Sequence, residues 1–528
     1  MSVFYGIDFT VALLPAVLMA AAALGAWWTG RAPWRAFIAL ALVALVLSLV
    51  ALGLQLGLAA SADDVNPDLW LAPNLFGAWV SALVQLLGAA IGVYSSKHLQ
   101  GEPRQSAYVV GLAAVLASVH VLLLANHWVV LIAAWAAIQY AMHGLLCFYP
   151  ERPFAVLAAH KKRVTDRAVD ILLVIAAALG WWACGSGSLT VLWQSIAAGA
   201  SSPALQWSGV CLALAVIART ALMPVHGWLV QVMEAPTPVS ALLHAGVVNL
   251  GGYVLVLFAP LLGVAPAARW LLVVFGLVSA VVAGLVLLTR VTQKVHLAWS
   301  TIAQMGFMLL ECGLGLYLLA ALHLLGHSLY KAHNFLAASG AVKDCKRKLL
   351  TGEVENSSLS MALAVPVAVV IVAGIQFLAG NHAWPWWWSG VLALAWAPLL
   401  WVPGAGQARA GVVRARLLVA AGMAVALTVA ACIVDRVPVG AGQAPLDAAG
   451  VVALVGMASM YFGMVALQLW PRSTFMVGLR RWVYAGFYMD EIYTRWVLRF
   501  WPVAWAQSDE PTRLPSITPA AAAQTPNS

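Results

Sequence analysis

The sequence predicts an all-α polytopic membrane protein of about 15 transmembrane helices, and three observations predict it. Hydrophobic residues make up 63% of the 528 and charged residues only 9%, too little charge to cover a soluble protein of this size. Apolar runs of roughly 20 residues, the length that crosses a bilayer, recur from one end to the other. Basic residues gather in alternate loops, as positive-inside insertion requires.

A bilayer-length window places spans near 9–29, 36–60, 74–96, 106–125, 128–149, 168–187, 205–233, 238–262, 268–289, 295–313, 314–341, 357–380, 385–403, 415–434 and 447–470. The first run begins behind Asp8 without a basic leader, so it reads as a retained span and not a cleaved signal. With the N-terminus outside, the cytoplasmic loops carry Arg31 and Arg35, then Lys97 and Arg104. Next come Arg152, Lys161, Lys162, Arg163 and Arg167, followed by Arg290 and Lys294. Lys343, Lys346, Arg347, Lys348, Arg409, Arg414, Arg472, Arg480 and Arg481 complete the set. The outside loops carry chiefly Arg269 and Arg436, and one holds Asp63, Asp64 and Asp68. This places the C-terminus in the cytoplasm and the chain in a cell inner membrane. The net charge of +9 is therefore a topology signal with contact to anionic lipid, and no basic stripe in a soluble segment points to nucleic acid.

Six dispersed cysteines, with no CxxC or Cys/His spacing, predict neither a disulfide nor a metal site in this chain. Residues 474–505 mix aromatics with Arg480, Arg481, Asp490, Glu491, Arg495 and Arg499, the pattern of a helix lying in the interface or against a partner. The tail 509–528, rich in Pro, Ala, Ser and Thr, reads as disordered.

A charge near the bilayer centre costs about 2.5–3.5 kcal/mol on insertion scales, so each one needs a reason. Arg219 and Lys331 sit midway along runs longer than a crossing requires, and Pro224 after Arg219 predicts a helix break. His323, His327 and Lys331, spaced four apart, share one helical face. Histidine titrates near neutrality, so this ladder is a candidate proton path; passive capping of neighbouring carbonyls is the alternative. Lys331 is the only lysine placed at membrane depth. His244 lies inside the eighth span, and His143 inside the fifth reads more as a packing residue. Arg167 and Asp170, at i and i+3, are positioned for a helix-surface ion pair. The candidate ion path comprises Lys331, His327, His323, Arg219, His244, Asp170, Arg167, Glu234, Lys294 and Glu311, with no catalytic residue. Its expected order is entry past Glu311, then Lys331, His327 and His323, with exit toward His244 and Asp170.

The stretch from about 105 to 345 resembles the proton-antiporter module of respiratory complex I and Mrp-type antiporters. The resemblance rests on WLVQVMEAPTPVSALLHAGVV at 228–248, AWSTIAQMGFMLL at 298–310, HLLGHSLYKAHNFLAASG at 323–340, and the Arg-x-x-Asp of Arg167 and Asp170. It implies two inverted five-helix repeats with broken helices, here 106–262 and 268–403, flanked by N-terminal helices 1–105 and C-terminal helices 404–470. The departures are specific. Ala136 stands where the family usually has Glu, and Arg219 stands where it has Lys. The second repeat lacks the family's Pro-Pro and Ser-Lys, and the chain lacks room for the long lateral helix of complex I subunit L. Arg stays protonated at physiological pH, so Arg219 sets electrostatics without carrying protons.

A degenerate member of this length resembles the membrane subunits of DAB inorganic-carbon accumulation complexes. That resemblance implies a DabA-like partner, a zinc protein similar to β-carbonic anhydrase, driven by H+ or Na+ flow through the membrane subunit. The zinc would then belong to the partner, with no cofactor in this chain. Two other readings stay open: a proton-pumping subunit of complex I or Mrp type, and a structural membrane anchor without ion conduction.

Overall fold

A computed structural model describes residues 2–58, 66–337, 356–380, 384–404, 410–434 and 444–503. Asp63, Asp64, Cys345, the basic stretch 343–348, Arg409, Arg436 and the tail 509–528 lie outside them. The described residues form helices with no strand, and three isolated bridges tie loops together.

Four helices open the chain: α1 (Ser2–Thr29), α2 (Trp34–Leu58), α3 (Leu75–His98) and α4 (Gln105–Leu123). Then come α5 (Trp128–Leu146), α6 (Pro153–Cys184), the short α7 (Leu189–Ala197), α8 (Pro203–Arg219), α9 (Gly227–Gln231), α10 (Thr237–Ala245), α11 (Leu250–Leu257) and α12 (Ala259–Gly263). Three long helices follow: α13 (Pro266–Leu287), α14 (Gln293–Leu314) and α15 (Tyr317–Ala337). The chain continues through α16 (Ser358–Leu378), α17 (Trp386–Trp396), α18 (Ala410–Val434) and α19 (Asp447–Leu469). It closes with two amphipathic helices, α20 (Thr474–Tyr484) and α21 (Met489–Phe500). Twelve helices are long and apolar enough to cross a membrane, and Pro203–Arg219 and Trp386–Leu400 are shorter apolar helices. The chain is a multi-pass membrane protein.

One buried core joins α1 through α15, and a second, centred on Trp387 and Trp388, joins α13 and α14 to α16–α19. The helices α13 and α14 pack almost backbone to backbone: a Cβ on Gly306 would sit 2.7 Å from the Gly276 carbonyl oxygen. Small residues allow this approach between membrane helices, where van der Waals packing replaces the hydrophobic effect.

The site is positioned by two interruptions. After Arg219 the backbone leaves the helix, Ala221 adopts a left-handed φ of 56°, and Pro224 precedes the restart at Gly227. Ser279 of α13 accepts the freed Met223 amide at 3.1 Å, as a broken membrane helix requires. The eighth run is also divided, with Gly246 and a 3-10 turn between α10 and α11. In the later region α16 runs through Pro366 without a break, and the backbone instead tightens into a 3-10 turn at Ala397–Leu400.

Two expectations need correction. The sixth helix starts at Pro153, not near 168, so Lys161, Lys162, Arg163 and Arg167 lie on a helix and not in a loop. Lys161 and Lys162 are buried, so Lys331 is not the only buried lysine among the described residues. A hydropathy window reads these cations as loop because it cannot see their partners. Within the segment 474–505, the described residues 474–500 form a bent pair, turned at Phe487 and Tyr488, both with left-handed φ.

Candidate functional site

Most of the candidate path residues gather into two buried clusters. The first surrounds the end of α8. Arg219, its last residue, is 2% exposed at the side chain. Its Nη2 donates to Asp170 Oδ1 at 2.6 Å, and Nε lies 3.7 Å from Asp166 Oδ1. Its guanidinium stacks 5.0 Å from the Trp135 ring. Lys162 donates to Asp166 at 2.6 Å and to Gln139, and lies over the Trp228 ring. Asp166 and Asp170 meet these cations because i and i+4 positions share one face of α6. The expected Arg167–Asp170 pair is not what forms: Asp170 takes Arg219 of the neighbouring helix, and Arg167 is exposed. The contact follows from packing, since α6 and α8 lie side by side.

A cavity of about 500 Å³ opens beside this cluster between α5 and α6, lined by Ala136, Gln139, Lys162, Arg163, Asp166 and Asp170 among others. Ala136 faces this space. His143, on its wall, contacts Arg163.

The second cluster runs between α14 and α15. His323 Nδ1 meets Glu311 Oε2 at 2.9 Å, and Nε2 meets the exposed Gln304 at 2.8 Å. The ring of His327 follows, 6.0 Å from that of His323. His327 is within electrostatic reach of Lys331, His323 and His244, and among the described residues neither of its ring nitrogens has a hydrogen-bond partner. Lys331 is fully buried, and its Nζ donates to the Leu297 carbonyl at 2.9 Å. His244 of α10 meets Thr301 Oγ1 at 3.0 Å and stacks on Phe335, one turn beyond Lys331. Asn249, at the second interruption, bonds Ser328 on the same helix as the ladder at 2.6 Å. At 1.5 Å per residue, Leu297 to Glu311 spans about 21 Å of α14.

The order along this seam is therefore Glu311, His323, His327, then Lys331 with His244. It corrects the expected order, in which Lys331 followed Glu311. The helices α14 and α15 form an antiparallel hairpin, so the start of one meets the end of the other. Asp170 is not an exit from this seam: it is bound to Arg219 in the first cluster. Glu234 and Lys294 also lie apart. Glu234 pairs with Arg152 at 3.6 Å, both sides roughly half exposed, and Lys294 is half-buried near them. Sequence reasoning missed Lys161, Lys162, Asp166 and Gln139. The i, i+4 spacing of Lys162 and Asp166 was the available signal. Among the described residues no three His, Cys, Asp or Glu side chains converge as a metal set.

Interrupted helices around buried lysine and histidine define a class: an antiporter-type membrane subunit. The family described as "NADH:quinone oxidoreductase/Mrp antiporter, TM" matches residues 125–385. A probable inorganic carbon transporter subunit DabB of Hydrogenovibrio crunogenus is 35% identical over 500 residues, covering 92% of this chain and 93% of the relative. The probable inorganic carbon transporter subunit DabB2 of Halothiobacillus neapolitanus is 39% identical over 324 residues, 60% of this chain and 59% of the relative. An NADH-quinone oxidoreductase subunit L of Mycobacterium tuberculosis is 35% identical over 284 residues, 53% of this chain and 44% of the relative. The Mrp complex of Dietzia sp. shares the fold, with a TM-score of 0.54 at 22% identity over 94% of this chain and 55% of that one. The chain belongs to the DabB family of inorganic carbon transporter subunits, within the proton-antiporter family.

Proposed function

We propose that this chain is the membrane subunit of an energy-coupled inorganic-carbon accumulation system in a cell inner membrane, with its N-terminus periplasmic and its C-terminus cytoplasmic. It conducts H+ or Na+ down its gradient and thereby drives a carbonic-anhydrase-like partner, the DabA-like subunit that carries the zinc and the chemistry. The observation that carries this reading is the seam from Glu311 through His323 and His327 to Lys331 and His244. Similarity to a DabB subunit along nearly the whole chain supplies the substrate class.

The seam supplies groups that take and release protons in sequence. Glu311 and the exposed Gln304 flank His323 at one end. At the other end Lys331 donates to the Leu297 carbonyl and has no carboxylate partner among the described residues. Arg219 remains charged throughout and fixes the potential of the first cluster. Lys331→Ala, expressed with its native neighbours in a carbonic-anhydrase-deficient host, should abolish growth at ambient CO2 while the protein reaches the membrane normally. Normal growth would refute ion conduction through this seam and leave the membrane-anchor reading standing.

A further inference from the structure

The bent pair α20–α21 turns an acid inward, onto the break between α8 and α9. Asp490 Oδ1 accepts from Lys161 Nζ at 2.5 Å, and Oδ2 accepts from Gln231 Nε2 at 3.2 Å. The Lys161 side chain is fully buried, while Asp490 keeps 28% exposure. Lys161 also donates to Thr494 Oγ1 at 2.9 Å. Gly227, where α9 restarts, comes so close that any Cβ there would collide with the Asp490 carboxylate. The segment is pinned around this point: Thr165 Oγ1 to Tyr493 OH at 2.5 Å, and Arg290 Nη2 donating to the Tyr484 carbonyl at 2.9 Å.

An amphipathic helix that only rests in the interface exposes its charges to water and headgroups. Asp490 does the opposite, crossing from the amphipathic pair to a lysine on a membrane helix. His226, buried in the break, lies within electrostatic reach of both Asp490 and Lys161. Its ring lies 5.1 Å from Trp299, two residues beyond the Leu297 carbonyl that holds Lys331. His226 thus lies between the Lys161–Asp490 pair and the α14 turn that holds Lys331, and the Asp490 side chain is partly exposed.

We propose that Asp490 is a proton-exchange carboxylate, delivered by the C-terminal segment in place of the acid absent at Ala136. The inference rests on the ion-path reading above. The Lys161 ammonium gives a proton to the Asp490 carboxylate across their contact, leaving a neutral amine and a carboxylic acid. The acid releases that proton to water at its exposed edge; the amine takes the next proton from the His226 imidazolium, which returns to neutral imidazole and is reprotonated from the ion path.

Full-length Asp490→Asn, Lys161→Arg and Lys331→Ala, each in the native complex, separate the possibilities. Asn keeps the shape and one acceptor; Arg keeps the charge but does not release a proton. Asp490→Asn and Lys161→Arg should each slow CO2-dependent growth and inorganic-carbon uptake about a hundredfold, the low end for a positioned acid–base group, and Lys331→Ala should abolish growth. Membrane level and protease protection of 474–501 should stay unchanged. If Asp490→Asn and Lys161→Arg grow normally while Lys331→Ala does not, the Asp490 assignment is overturned and the seam stands. If Lys331→Ala grows normally, both fall. If Asp490→Asn fails to reach the membrane, Lys161→Arg decides: loss of uptake at normal level supports the proposal, and normal uptake overturns it. Loss of protease protection in both variants makes the contact a structural strap and overturns the proton role.

Discussion

Removing the Arg219 guanidinium leaves Asp166 and Asp170 on one face of α6 with Lys162 as the nearest remaining cation. Breaking a buried ion pair from one side costs about 3–5 kcal/mol. Asp170 keeps 27% of its side chain exposed, so relief by water puts Arg219→Ala near the lower end, about 3 kcal/mol. Arg219→Lys keeps the charge but loses the fork geometry and the stack on Trp135, a loss of about 1 kcal/mol. An uncharged hydrogen bond between membrane helices averages only about 0.6 kcal/mol. A double-mutant cycle of Arg219→Ala with Asp170→Ala, read by thermal unfolding in detergent, therefore distinguishes a buried charge pair from an ordinary polar contact. Growth at ambient CO2, at matched membrane levels, should be partial for Arg219→Lys and mostly lost for Arg219→Ala. Equal behaviour of the Lys and Ala variants, or a coupling no larger than about 0.6 kcal/mol, would refute the electrostatic role.

Lys331→Ala and His244→Ala should be non-additive in growth and uptake, because both act electrostatically on His327; simple additivity would separate them into independent roles. Gly306→Ala places a Cβ within 2.7 Å of the Ala280 amide and the Gly276 carbonyl, backbone atoms that cannot rotate away. It should destabilise the α13–α14 pair by about 1–3 kcal/mol, read as a lowered unfolding temperature, and an unchanged one would contradict that packing.

The ladder His323, His327, Lys331 was legible because helical periodicity alone puts positions four apart on one face. The helix break was legible in part: Pro224 marked its location, but the capture of the Met223 amide by Ser279 was not. The direction of the ladder was not legible either. Spacing gives the neighbours along α15, whereas the meeting of His323 with Glu311 depends on the antiparallel return of the chain after α14.

By itself the sequence determined the membrane class, the helical fold and the positions of most spans. Each of those depends on the local cost of exposing polar backbone and on hydropathy summed over about 20 residues. Only the tertiary structure decided which charges are buried. Lys161 and Lys162 read as loop residues in any window, yet they sit on α6. Lys162 meets Asp166 one turn away and Gln139 from α5; Lys161 meets Asp490, which is 329 positions distant in the chain. The physical reason is that a charge is tolerated inside a membrane protein by its partner and not by its neighbours in sequence. That pairing exists only once the C-terminal segment has folded back onto the break.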